Sequence, residues 1–127
     1  AVRFDHYLPG QFTNLAVEID GQQVIRPYSI SSSPTSPGSI ALTIKRVPSS
    51  RSDVPPGLVS NWLHDNLIVG DRLKVLGGPL GGFTFLPDAP SRLLLISAGS
   101  GITPMMSMAR WLYDSFADID IVFLDSA

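Results

Sequence analysis

Hydrophobic residues along the first two-thirds of the chain recur at every second position. In NLAVEI, residues 14–19, Leu15, Val17 and Ile19 alternate with polar or small residues, the period of a half-buried strand. IDGQQ supplies a turn around Gly21. VIRPYSI reads as a second strand, in which Pro27 implies a sheet edge or an irregular backbone. SIALTIKRV puts Ile40, Leu42 and Ile44 on one face, and DRLKVLGG and GFTFL predict two more short strands separated by glycine and proline turns. Short strands with turn signals between them predict a small antiparallel barrel or sandwich. One short helix interrupts it: in PPGLVSNWLHDNL, Leu58, Trp62 and Leu63 share a face, Leu67 follows, two prolines precede and Gly70 ends the region.

After LPDAPSR, residues 86–92, the pattern changes. RLLLIS is a continuous apolar run, as expected of a strand buried on both faces. AGSGITP follows, then a helix predicted from about Pro104, with Met105, Met108, Ala109, Leu112 and Phe116 at helical spacing. IDIVFL is a second apolar strand. Strand, glycine turn, helix and strand make a βαβ unit with parallel strands.

Composition narrows the picture. The 127 residues suffice for one modest core, or for a small domain and part of a second. A net charge of −2 gives no support for binding nucleic acid or an anionic membrane. No run approaches the roughly 18 apolar residues of a membrane span. The chain has no cysteine, which excludes disulfides, zinc thiolates and iron–sulfur ligation within these residues and fits a reducing, cytoplasmic setting. No metal site is expected. The sequence opens and stops abruptly, so a piece of a longer protein is expected.

Two segments carry candidate chemistry. Gly99 and Gly101 in AGSGITP permit close approach of a ligand to the backbone, and Pro104 suits a first helical turn. Free N–H groups there favour a phosphate, although a ligand-free βα turn fits the same residues. The motif is neither G-x-G-x-x-G nor a P-loop. RPYSISSSP, residues 26–34, joins a guanidinium fork for phosphate, an aromatic face for stacking and a row of hydroxyl donors. Such a set suits a flavin nucleotide; a barrel edge strand with a Ser/Pro-rich turn fits as well. On a regular strand Arg26 and Tyr28 point to one side and Pro27 and Ser29 to the other, so a bulge is expected if Tyr28 and Ser29 touch one ring.

These segments resemble the ferredoxin–NADP reductase superfamily. RPYSISSSP is similar to its flavin motif, roughly R-x-Y-S/T-x-S-S, and PGQF to the segment ahead of it. GLVSNWL resembles its G-x-x-S-x-x-L phosphate-binding helix start, GPLGGFTF its last barrel strand, and LLLISAGSGITPMMSM its G-x-G-x-x-P pyridine-nucleotide motif. Within the superfamily the chain looks most like bacterial NADH reductases that serve oxygenases or the hybrid-cluster protein. The resemblance implies a six-stranded antiparallel, Greek-key-like FAD-binding barrel with one short helix over residues 1–89, its first strand lying upstream. The start of an α/β parallel-sheet NAD(P)-binding domain would follow over 90–127.

The resemblance also implies roles. Arg26 binds the flavin phosphate, Tyr28 stacks on the isoalloxazine with Pro27 beside it, and Ser29 bonds near N5. Thr43, Ile44 and Lys45 approach the ribityl or diphosphate portion, and Gly57, Leu58, Val59 and Ser60 cradle the diphosphate. Gly99, Gly101, Thr103 and Pro104 form the edge for the nicotinamide nucleotide, Thr103 nearest the nicotinamide. Tyr28, Ser29 and Thr103 are thus the residues nearest the chemistry. The implied activity is hydride transfer from NADH or NADPH to FAD, then single-electron transfer to a redox partner or a fused 2Fe–2S ferredoxin domain outside this segment. A non-catalytic flavin sensor or assembly module is the alternative. His6 and His64 read as surface or cap residues, Asp65 as solvated, and Trp62 and Trp111 as core or interface aromatics.

Overall fold

A computed structural model describes residues 4–126. Strand β1, Phe12–Ile19, is central in an antiparallel three-stranded sheet, with β2, Gln22–Ser29, on one side and β3, Lys74–Leu80, on the other. The alternation read in the sequence holds: Leu15 and Val17 are buried and pack with Val59 and Leu63 of helix α1, Leu58–Asn66. Pro27 lies on the edge strand β2, where its missing N–H takes nothing from the ladder. Gly21, at φ +73, turns the chain from β1 into β2.

Three expectations are corrected. The described residues form three antiparallel strands, not a six-stranded Greek-key barrel. DRLKVLGG does not stop at its glycines but runs on through Pro79 and Leu80 as β3. Asn14 pairs with Leu76 and Phe12 with Leu80, so β3 carries extra residues at a bulge, and Gly77, at φ +77, absorbs the bend. GFTFL, residues 82–86, forms no strand; its Phe85 meets Trp111 edge-on, ring centroids 5.7 Å apart.

SIALTIKRV makes a single bridge, Ile30 to Leu42, instead of a ladder. Its alternation nonetheless reports the right faces: Leu42 and Ile44 pack against the core while Thr43 and Lys45 stay exposed. In α1 the inward residues are Val59 and Leu63, one helical turn apart, whereas Leu58 is half-exposed.

The βαβ unit forms as predicted. Strand β4, Arg92–Ala98, pairs in parallel with β5, Asp120–Ser126, and a short 3₁₀ turn, Gly99–Gly101, leads into helix α2, Ile102–Asp114. Burial on both faces does not hold. Leu95 and Ser97 are buried, but Leu94, Ile96, Val122 and Leu124 are more than half exposed. Those four residues are cross-strand partners on one side of the sheet, and α2 covers only the other. Phe116 lies beyond the helix end, exposed and at φ +50, so it is not part of the packing stripe.

Candidate functional site

The last four residues of β2, Arg26, Pro27, Tyr28 and Ser29, line a cavity of about 390 Å³, within the usual range for a small-molecule site. Thr43, Ile44, Lys45 and Val47 also line it, as do Gly57, Leu58, Val59 and Ser60 at the start of α1, and Ser100 and Thr103 at the start of α2. Arg26 and Lys45 are the charged residues of the lining, which contains no carboxylate. Among the described residues the ion pairs are Arg46–Asp65, Arg51–Asp53 and Arg92–Asp120, so neither cavity cation is paired with a carboxylate there.

Tyr28 is half-buried, its ring packed against the Leu15–Val17–Val59–Leu63 core. Burial raises its phenol pKa and the charge of Arg26 partly opposes this, so at neutral pH the group is a neutral hydroxyl on an aromatic ring. The expected bulge at Tyr28 and Ser29 is absent: β2 pairs with β1 in continuous register from Phe12↔Ser29 to Ile19↔Gln22. Both residues reach the cavity because it follows the edge strand to its end, where a side chain need not be re-aimed.

The start of α1 has no side-chain cap. The first-turn amides are therefore free for an anion, and the helix dipole favours one there. Gly57 is required by packing. A Cβ there would lie 2.6 Å from Ser60 Oγ and 2.8 Å from Val47 Cβ. Its N–H donates to the Val47 carbonyl at 3.0 Å, and Asn61 Nδ2 donates to the carbonyls of Val47 and Gly57.

One turn on, the Nε2–H of His64 donates to the Ile44 carbonyl at 2.8 Å, and Arg46 donates to Asp65 at 2.7 Å. That bond is the main reason the Asp65 carboxyl titrates below its usual range. His64 and Asp65, read in the sequence as surface groups, thus fasten α1 to the segment carrying Thr43, Lys45 and Val47. Polar residues spaced three and four apart, Asn61, His64 and Asp65, were the available signal.

The glycine turn is arranged differently from the reading above. Thr103 is buried and lines the cavity, but Gly99, Gly101 and Pro104 do not. Gly99, at φ +56, has a backbone conformation that favours glycine. Gly101 has an ordinary φ of −63, and a Cβ there would meet nothing within 4 Å. Both glycines present bare backbone to open space beside Thr103. Val47 and Ser100 are lining residues that no motif marked.

The row of hydroxyls also divides. Ser29 faces the cavity; Ser31, Ser32 and Ser33 do not. Ser31 Oγ donates to the Ala41 carbonyl at 3.0 Å, Ser32 Oγ bonds Tyr7 Oη at 2.8 Å, and Ser33 Oγ bonds Thr35 Oγ1 at 2.7 Å. These serines hold the chain beyond the site.

A guanidinium, an ammonium, an aromatic face, the hydroxyls of Ser29, Thr43, Ser60, Ser100 and Thr103 and an uncapped helix start form a donor set that fits a dinucleotide with a flat heterocycle. This arrangement is that of a flavin-binding oxidoreductase domain. Residues 4–85 match the family model described as the oxidoreductase FAD-binding domain, and the chain belongs to that family.

Its relatives include the glycine betaine monooxygenase reductase subunit of Pseudomonas aeruginosa, 51% identical over 121 residues, covering 95% of this chain and 31% of the relative. The stachydrine N-demethylase reductase subunit of Rhizobium meliloti is 40% identical over 119 residues, covering 94% and 31%. Among solved structures, the FAD/NAD-binding domain of the nitric oxide dioxygenase of Vibrio cholerae superposes with a TM-score of 0.81 at 32% identity, over 94% of this chain and 48% of that one. The chain spans about a third of the length of the curated relatives it matches. Among the described residues no helix is long and apolar enough to cross a membrane.

Proposed function

We propose that the chain carries the flavin site and the first part of the nucleotide site of a reductase that takes hydride from NADH or NADPH and passes electrons to a partner. The observation that carries this reading is the convergence of Arg26, Tyr28, Ser29, Lys45, the α1 start and Thr103 on one cavity. When bound, FAD accepts hydride at N5 and releases electrons singly.

The chain's own residues supply binding and orientation. Arg26, Lys45 and the amides of Leu58, Val59 and Ser60 hold the phosphates. Tyr28 offers its ring to the isoalloxazine, with Pro27 limiting how the strand moves beneath it, and the Ser29 hydroxyl donates a hydrogen bond to the ring edge. Gly99 and Gly101, bare beside the cavity, admit the nicotinamide nucleotide closely; Pro104 stiffens the first turn of the helix under it, and the Thr103 hydroxyl orients it. No side-chain acid or base is needed for a hydride step, and the lining holds no carboxylate or histidine. We assign residues 1–89 to the flavin part and 90–127 to the nucleotide part. The named relatives are the reductase subunits of a glycine betaine monooxygenase and of a stachydrine N-demethylase, which supports a monooxygenase or demethylase component as the acceptor; a 2Fe–2S domain outside this segment as the route to it is part of the same proposal. A cytoplasmic setting belongs to the same proposal.

The full-length protein is expected to purify yellow and to bleach on anaerobic addition of NADH or NADPH. Thr103→Val should leave the yellow spectrum intact and slow bleaching about tenfold, the loss of one orienting hydrogen bond. Yellow protein that never bleaches with either nucleotide would make the chain a flavin-binding sensor or assembly module. Protein that takes up no FAD would contradict both readings.

A further inference from the structure

Helix α2 has two faces. Met108 and Leu112 are buried on the apolar one. Successive helical residues are about 100° apart, so Thr103, Ser107, Arg110 and Asp114 fall within an arc of about 60°. This polar stripe meets the segment that follows β2. Ser107 Oγ, fully buried, donates to the Ser32 carbonyl at 2.7 Å, and Arg110 Nη1 donates to the carbonyl of Ser31. Asp114 accepts from the Thr35 hydroxyl at 2.6 Å.

We propose that Ser107, Arg110 and Asp114 form a clamp that sets where Thr103 stands relative to Tyr28 and Ser29, and that they are positioning residues for hydride transfer. The inference rests on the reading that a nicotinamide nucleotide reaches the flavin beside Thr103. The stripe grips two successive carbonyls that lie two and three residues beyond Ser29. Backbone carbonyls cannot rotate away as side chains do. Any other register between α2 and this segment would leave the fully buried Ser107 hydroxyl and the Ser32 carbonyl unpaired, which is costly. Ser107 is one helical turn, about 6 Å, from Thr103. The covalent and hydrogen-bonded route from Ser29 to Thr103 is therefore short and has one favoured geometry, whereas contacts between separate sheets ordinarily permit relative motion. Apolar packing of Met108 and Leu112 attaches α2 to the protein; the polar stripe fixes its height over the site. Hydride transfer is sensitive to such placement, a 1 Å displacement costing up to about 10²-fold.

The test compares Arg110→Met, which keeps the side-chain stem and removes the donor, with Arg110→Lys and Ser107→Ala in the FAD-loaded full-length protein. Three quantities are read: the FAD dissociation constant, the long-wavelength charge-transfer absorbance formed with the non-reducing analogue tetrahydro-NADH, and the anaerobic bleaching rate at saturating NADH. For Arg110→Met and Ser107→Ala, FAD affinity should stay within about twofold, the charge-transfer band should fall by about half or more, and bleaching should slow about fivefold or more. Arg110→Lys should recover most of both signals. Arg110 is exposed, so its variants do not depend on repacking a core. A band and a rate within about twofold of the parent in both Arg110→Met and Ser107→Ala would overturn the inference, as would about tenfold weaker FAD binding in both. If the parent itself holds FAD but shows neither band nor bleaching, the reductase reading fails, and the clamp with it.

Discussion

Arg26→Ala is expected to raise the FAD dissociation constant about 10- to 100-fold, the cost of losing a charge-assisted bond to phosphate, about 1.5–3 kcal/mol. The Arg26 side chain is exposed and donates to the neighbouring Ile25 carbonyl at 2.8 Å. Removing it therefore disturbs no packed group, and the loss should appear in cofactor binding with little change in melting temperature. Arg26→Lys should recover part of the affinity, because an ammonium supplies charge without the planar fork. Fluorescence titration of the FAD-depleted full-length protein measures this directly. Affinity unchanged within about twofold would remove Arg26 from the phosphate site.

Gly10→Ala is expected to destabilise the fold by about 3 kcal/mol or more. Leu8, Pro9, Gly10 and Gln11 make a turn closed by the Gln11 amide on the Leu8 carbonyl at 3.1 Å. Proline at its second position and a positive φ of +98 at its third are type II features. The backbone conformation alone favours glycine. Packing adds a harder limit: a Cβ at Gly10 would lie 2.0 Å from the Phe83 carbonyl oxygen and 2.6 Å from Met108 Cε. The methionine can move, but the carbonyl is backbone. Gly21→Ala is the control. Gly21 also has positive φ, +73, yet nothing lies within 4 Å of its Cβ position, so it should cost only about 1 kcal/mol. Urea denaturation separates the two. Equal losses would mean that the turn at Gly10 is not wedged against Phe83.

The hydroxyl row after Arg26 shows how far sequence reasoning reached. Tyr28 and Ser29 do border the cavity, because a short motif on one strand end has little freedom to go elsewhere. Lys45 and Ser60 join them from distant parts of the chain. Alternation in SIALTIKRV gave the faces of Leu42 and Ile44 correctly but not the pairing, since hydrophobic period reports burial and says nothing about which backbone accepts a bond. Gly77, Gly78 and Pro79 read as a turn and are a bulge, because the same residues suit both. RLLLIS read as doubly buried, yet Leu94 and Ile96 are exposed among the described residues; an apolar run states what a strand tolerates, not what covers it. The stripe of Ser107, Arg110 and Asp114 escaped notice because polar residues on a helix look like a solvated face until a partner segment is seen against them.

FAD is expected to lie along the end of β2 with its phosphates at the start of α1. A crystal structure of the FAD-loaded full-length protein tests it most directly. The isoalloxazine should lie against Tyr28, with phosphate oxygens within hydrogen-bonding distance of Arg26 and of the amides of Leu58 to Ser60. FAD density elsewhere on the protein, or this cavity filled by side chains, would contradict it.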